Sequence, residues 1–163
     1  TCTMGAHVSA VPNEQNGRVT PLETRGTVAM SGAFGYEMDL SKCTEAEKQV
    51  IRQQIETYKA RYALIHQGDY YRLASPFQNS GYTAWGQVSP DKREALVSVV
   101  LCCTHAAPPF RTLPLKGLDP KLNYQADGTG PLYSGAALMK AGWPLPQVPG
   151  DYQSFQFYFR AAR

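Results

Sequence analysis

The feature that most constrains this chain is one amphipathic run. From Glu45 to about Gln67, residues Ile51, Ile55, Tyr58, Tyr62 and Ile65 recur at steps of four and three, the spacing that gathers side chains on one face of a helix. Thr44 with Glu47 three residues later has the capping-box pattern, and Gly68 stands where helices commonly end in a left-handed residue. Both ends of the helix are therefore marked. A helix that is apolar on one side only must lie on something, so its aromatic stripe reads as core packing.

Upstream, Met4 to Val11 is short, apolar and bounded by Pro12 and Asn13, as a buried strand would be. Pro21 to Met30 reads as a short helix despite Gly26, and Gly32 to Leu40 as a second strand. The order strand, helix, strand, long helix implies a parallel sheet with helical crossovers, covered on both faces. Two strands are too few for such a sheet, because each leaves an edge and a face bare. The missing strands are expected to come from upstream polypeptide or from a partner, and Thr1 in place of Met suggests a piece of something longer.

After Gly68 the period shortens. Tyr82 to Val88, the turn residues Ser89, Pro90 and Asp91, and Ala95 to Thr104 form a hairpin pattern. Arg111 to Leu115, Leu122 to Ala126 and Ser154 to Arg160 are further strands; in the last, Phe155, Phe157 and Phe159 alternate with polar or larger partners. Prolines at 108, 109, 114, 120, 131, 144, 146 and 149 exclude long helices, leaving a helical turn or two at Gly135 to Ala141. This half reads as a small antiparallel β-sandwich.

Composition narrows the partners. Thr1 to Leu40 holds 2 basic and 4 acidic residues, Ser41 to Arg72 holds 6 and 4, and Leu73 to Arg163 holds 8 and 5, for a net charge of +3. With no basic stripe, nucleic acid is not an expected partner. The longest apolar stretch, Ala95 to Cys103, falls well short of a membrane span. Apolar residues make up 43% and charged ones 18%, which points to a soluble globular protein. Cys2, Cys43, Cys102 and Cys103 lack a C-x-x-C spacing and read as reduced thiols of a cytoplasmic protein.

No catalytic constellation emerges from the residues themselves. Glu37 and Asp39, two apart on one strand, would share a face, but nothing specifies a pocket between them, and the pair reads as structural. Ser9 and Ser31 lack a G-x-S-x-G elbow, and no Cys has the context of a thiol enzyme. Gly32 and Gly35 match neither phosphate-loop spacing, and Asp127 to Gly130 reads as a turn rather than a calcium loop. His7, His66 and His105 have no ligand spacing, so neither a metal nor a cofactor is expected. Trp85 and Trp143 could form a sugar-stacking platform, although aromatic residues on strands more often fill cores.

The run MGAHVSAVPNEQNGRVTPLETRGTVAMSGAFGYEMDL, Met4 to Leu40, resembles the last strands of the catalytic barrel in bacterial α-galactosidases of glycoside hydrolase family 36. The family shows Met-Gly-Ser-His-Val-Ser-Ala-x-Pro-Asn, then Gly-Arg-x-Thr-Pro-Leu-x-Thr-Arg, then Phe-Gly-Tyr-Glu-Leu-Asp. The resemblance continues through the long helix, Gly68-Asp69-Tyr70-Tyr71-Arg72-Leu73 with Ser75-Pro76-Phe77, and Leu115-Lys116-Gly117-Leu118-Asp119-Pro120. It covers essentially the whole chain.

That resemblance implies a division. Residues 1–67 would be the last two β/α units of a (β/α)8 barrel, an α/β remnant, and residues 68–163 an all-β antiparallel C-terminal sandwich that buttresses it. Family members hydrolyse terminal α-galactosides such as melibiose and raffinose with retention, using an Asp nucleophile and an Asp acid/base. In the family these residues and the Cys-x-Gly-Gly substrate loop precede the position of Thr1, and neither Cys-x-Gly-Gly nor Ser-Asp-Asn/Asp occurs here. No catalytic residue carries over, and the piece alone is expected to be inactive. Glu14 replaces a His common in that loop, and His7 and Asn13, on or after a barrel strand whose C-terminal end would face the active site, are expected to set its shape, with substrate contact the alternative. The expected partners are the remainder of the parent chain, an α-galactoside in the full enzyme, and further copies in a homo-oligomer. The alternative is a non-catalytic carbohydrate-binding or scaffolding β-sandwich using Trp85 or Trp143.

Overall fold

A computed structural model describes residues 3–78, 81–104, 106–107 and 109–162. The first strand, β1 (Gly5–Ser9), leads through a long loop to α1 (Leu22–Ala29), and β2 (Ala33–Glu37) then lies parallel to β1 with Gly5 opposite Ala33 and Ser9 opposite Glu37. The two strands thus form a parallel pair with a helical crossover. The strand expected over Met4 to Val11 is shorter, and of its five residues only Val8 is fully buried, because one face of the pair is open.

After a 3-10 turn at Leu40–Lys42, α2 runs over Glu45–Gln67, the bounds expected from its periodicity. Thr44 Oγ1 accepts from the Glu47 amide at 3.2 Å, and the Thr44 amide donates to Glu47 Oε2 at 2.8 Å, which completes the capping box. At the other end the expectation fails. Gly68 is extended (φ −71, ψ 152), so it is not a left-handed stop. Its need for glycine is steric: a Cβ there would meet the Leu64 carbonyl oxygen at 2.4 Å and that of Val88 at 3.0 Å. Of the stripe, Ile51 and Ile65 are buried, Ile55 and Tyr58 are half-buried, and Tyr62 is 53% exposed with its ring against His66.

Helix α1 is enclosed on nearly all sides, with Leu22, Thr24, Gly26, Thr27 and Ala29 buried. Gly26 lets α2 approach, since a Cβ would fall 2.2 Å from Gln54 Nε2. Gln54 uses that closeness: its Nε2 donates to the Leu22 carbonyl at 3.0 Å, and its Oε1 accepts from the Tyr36 hydroxyl at 2.7 Å. Burial pushes the Tyr36 hydroxyl up to about 12.

The rest of the chain builds β3 (Asp69–Ala74), β4 (Tyr82–Val88), β5 (Glu94–Leu101), β6 (Thr112–Leu113), β7 (Asn123–Ala126), β8 (Leu132–Ser134), α3 (Gly135–Lys140), β9 (Trp143–Pro144) and β10 (Gln153–Ala161). Six of these strands form one antiparallel sheet in the order β3-β4-β5-β10-β7-β8, and β6 pairs with β9 as a short ribbon. The expected hairpin is β4–β5, and the Asp127 to Gly130 segment is the turn between β7 and β8. In place of a second full sheet, the ribbon, α3 and their loops cover one face. There Leu113, Leu115, Leu118, Leu138 and Leu145 pack on Val97, Val99 and the alternating Phe155, Phe157 and Phe159. The antiparallel sheet expected from the sequence is present, with a lighter second layer.

The sheet's other face receives the helices. Leu96 packs with Leu64, Ile65, Tyr58 and Tyr158, and the Arg61 guanidinium lies 3.4 Å over the Tyr158 ring. Thr24 Oγ1 donates to the Tyr152 carbonyl, and the Thr27 and Ser154 hydroxyls are 3.1 Å apart. The parallel pair is therefore held to the sheet through α1 and α2, which leaves its opposite face bare.

Candidate functional site

Alternation along β1 and β2 sorts their side chains. Ala6, Val8, Phe34 and Tyr36 join the cluster under α1 and α2. Gly5, His7, Ser9, Ala33, Gly35 and Glu37 consequently lie on the bare face. On that face His7 Nε2 and Glu37 Oε2 are 2.6 Å apart across the two strands, with side chains 52% and 73% exposed. The carboxylate expected to share its strand with Asp39 is thus engaged with His7 instead. Asp39 has left the strand: it precedes the 3-10 turn and accepts from the Ser41 hydroxyl at 2.6 Å and the Ser41 amide at 3.0 Å, bonds that hold its carboxyl below the usual range.

The loop after β1 closes on itself. Asn13 Oδ1 accepts from the amides of Gln15 and Asn16 at 3.1 and 3.2 Å, and the Asn13 amide donates to the Arg18 carbonyl at 2.9 Å. Arg25, from α1, fastens both loop ends. Its Nε donates to the Thr20 carbonyl at 3.0 Å and its Nη1 to the Ser9 carbonyl. Burial lowers the Arg25 pKa, and the nearby Glu47 opposes that fall. Two openings flank the loop. One, of about 410 Å³, lies between β1, the loop and α1; its wall includes His7, Asn13, Arg18 and Arg25. The other, of about 350 Å³, is lined by Ser9, Ala10, Asn13, Glu14, Gln15 and Glu37, at the C-terminal ends of both strands.

The remaining candidates go to structural roles. Gly32 is buried, and a Cβ on it would meet the Met4 carbonyl oxygen at 2.3 Å, so close strand packing accounts for it. Trp85 is 8% exposed, and Trp143 is packed among Tyr133, Phe157 and Phe159, so neither ring lies open as a platform. His66 Nε2 is 2.7 Å from the Tyr58 hydroxyl, which donates to the Gly32 carbonyl and accepts from the Phe34 amide. Cys43, Cys102 and Cys103 are free thiols, and burial raises the Cys102 pKa. Cys2 and His105 lie outside the described residues. Among the described residues no cluster of three or more His, Cys, Asp or Glu side chains could hold a metal, and no helix is long and apolar enough to cross a membrane.

The His7–Glu37 pair is what sequence reasoning missed. The two residues are remote in the chain, and only the parallel register brings them together. Their common position on alternating strands was the available signal, since His7 and Glu37 both fall on the side opposite Val8 and Tyr36.

Two family models match the chain in succession: Melibiase over residues 1–68 and the Glycosyl hydrolase family 36 C-terminal domain over residues 82–159. The helix-linked strand pair and most of the antiparallel sheet that follows it are thus each matched by a glycoside hydrolase family model. The chain is 49% identical over 96% of its length to the bifunctional alpha-galactosidase/sucrose kinase AgaSK of Mediterraneibacter gnavus, of which it covers 17%. It is 48% identical to alpha-galactosidase AgaA of Geobacillus stearothermophilus, with 98% of this chain and 22% of that protein covered. The crystal structure of the GH36 alpha-galactosidase AgaB of the same organism superposes with a TM-score of 0.92 at 50% identity, again covering 98% of this chain and 22% of that one. The chain belongs to glycoside hydrolase family 36. It spans about a fifth of the length of these relatives.

Proposed function

We propose that this chain is the C-terminal part of a retaining α-galactosidase that acts on terminal α-galactosides of the melibiose and raffinose type. Residues 1–67 supply the last two β/α units of a (β/α)8 barrel, and residues 68–163 form a domain that buttresses them. The observation that carries the reading is the one-sided burial of β1 and β2. Their outer faces are packed under helices, while their inner faces and outer edges await neighbouring strands. The relatives' names, α-galactosidase in each case, supply the chemistry.

Retention requires two carboxyl groups about 5 Å apart across the scissile bond. On this reading both belong to earlier barrel strands, and this chain contributes wall, loop and support. The parent works in the cytoplasm, in keeping with the free thiols of Cys43, Cys102 and Cys103, and as a homo-oligomer. The test is hydrolysis of a nitrophenyl α-galactoside. The chain by itself is expected to give no turnover, and the same chain joined to its upstream polypeptide full turnover. Hydrolysis by the isolated chain would overturn the placement of the acids, and an inactive complete protein would overturn the α-galactosidase reading.

A further inference from the structure

Barrel interiors are normally filled by layers of bulky branched side chains. The inner positions of β1 and β2 hold none: Gly5, Ser9, Ala33 and Gly35 are small, and only His7 and Glu37 project any length from this face. Charged or polar side chains in a sealed apolar core are costly, so a polar pair at this position suits a wall facing a water- or ligand-filled space. Glu37 is the last residue of β2, and His7 lies two before the last of β1, so the pair sits near the C-terminal strand ends. The crevice of about 350 Å³ at those ends is walled by Glu37 together with Ser9, Asn13 and Glu14.

The hydrogen bonding assigns the two residues different tasks. A carboxylate only accepts, so in the 2.6 Å contact His7 Nε2 carries the proton and donates to Glu37. Among the described residues Nδ1 then has no partner. A sugar hydroxyl both donates and accepts, and so it suits Nδ1 in either protonation state of the ring. Resting on the α-galactosidase reading above, we propose that His7 Nδ1 hydrogen-bonds a hydroxyl of the bound galactoside and that Glu37 is the positioning residue that fixes the imidazole in place. The same carboxylate–imidazole pairing orients histidines elsewhere, at metal centres above all.

The experiment uses the complete protein that carries this chain, with melibiose and a nitrophenyl α-galactoside as substrates and free galactose as competing ligand. His7→Phe keeps the ring volume and removes the hydrogen bond, and should lower kcat/KM about ten-fold at an unchanged thermal midpoint. Glu37→Ala should lower it to a similar extent, Glu37→Gln less because its amide oxygen still accepts, and the double variant should be no worse than His7→Phe. A parallel rise in the galactose inhibition constant assigns the hydroxyl to galactose. An unchanged constant, with loss on melibiose only, assigns it to the leaving sugar. If His7→Phe fails to fold, His7→Gln gives the same readout. A folded His7 variant within two-fold of the unsubstituted protein on both substrates overturns the contact, and a silent Glu37→Ala beside an impaired His7→Phe overturns the positioning role. Absence of turnover in the unsubstituted protein would instead sink the α-galactosidase reading itself.

Discussion

The parallel pair β1–β2 and the six-stranded antiparallel sheet are stabilised differently. The sheet is covered on both faces, by the ribbon and α3 on one side and by α1 and α2 on the other, and its core includes Val97, Val99, Leu113, Tyr124 and Phe159. The parallel pair has a core on one face only, in which Val8 is fully sealed by Leu22, Ala29, Cys43 and Ile51. An antiparallel sheet closes its hydrogen bonds through hairpins within one short stretch of chain. A parallel barrel needs strands distributed over a much longer polypeptide. A segment of this length therefore completes an antiparallel sheet, while its parallel pair stays two-stranded with one face open.

Equal truncations in the two regions should have unequal effects. Val99 and Val8 are both 0% exposed. Val99→Ala is expected to cost about 2–3 kcal/mol and to unfold the whole chain at lower urea, whereas Val8→Ala should cost about 1–2 kcal/mol. Urea titration with hydrogen exchange on both strands checks this, and equal losses would show that the parallel pair is as fully enclosed as the sheet. Next in size is Gly26→Ala. The added methyl must displace Gln54 and its bonds to Leu22 and Tyr36, at about 1–3 kcal/mol, read as a fall in thermal midpoint with the α1–α2 contact loosened.

Thr44→Ala removes the acceptor of the Glu47 amide and should cost about 1 kcal/mol, seen as earlier exchange of the first-turn amides of α2. The effect confined to the narrowest conditions is alkaline. Tyr36 has its folded-state pKa raised from 10.0 to about 12 by burial, so between those values the folded state holds a proton that the unfolded state releases. Stability from this group is complete below pH 10 and is lost as pH rises towards 12. Tyr36→Phe should flatten that decline when unfolding is followed across this range, while the sheet's own amides remain protected.

Local rules read best where local forces decide. The long helix carries its period and its capping box within its own residues, and the β4–β5 hairpin and the alternating phenylalanines of β10 are equally self-contained. The edge strand β3 and the short strands β8 and β9 left no periodic signal, because pairing rather than pattern defines sheet edges and two- or three-residue strands. Gly68 shows the same limit in one residue: a glycine after a helix suggests a left-handed turn, but here it answers to the carbonyls of Leu64 and Val88. Tyr62, in phase with Ile51 and Ile65, is exposed because the surface beneath α2 does not extend to it.

At the site the division is sharper. The order of strands and helices, the long helix with its cap, and the resemblance to family 36 all follow from residues near one another in the chain, where propensity, spacing and capping act directly. The meeting of His7 with Glu37, the departure of Asp39 from the strand, and the enclosure of Trp85 and Trp143 were decided by tertiary structure alone. Parallel pairing sets a register between segments joined by a helix, and burial depends on what lies across a layer, and neither quantity is written in any single stretch of sequence.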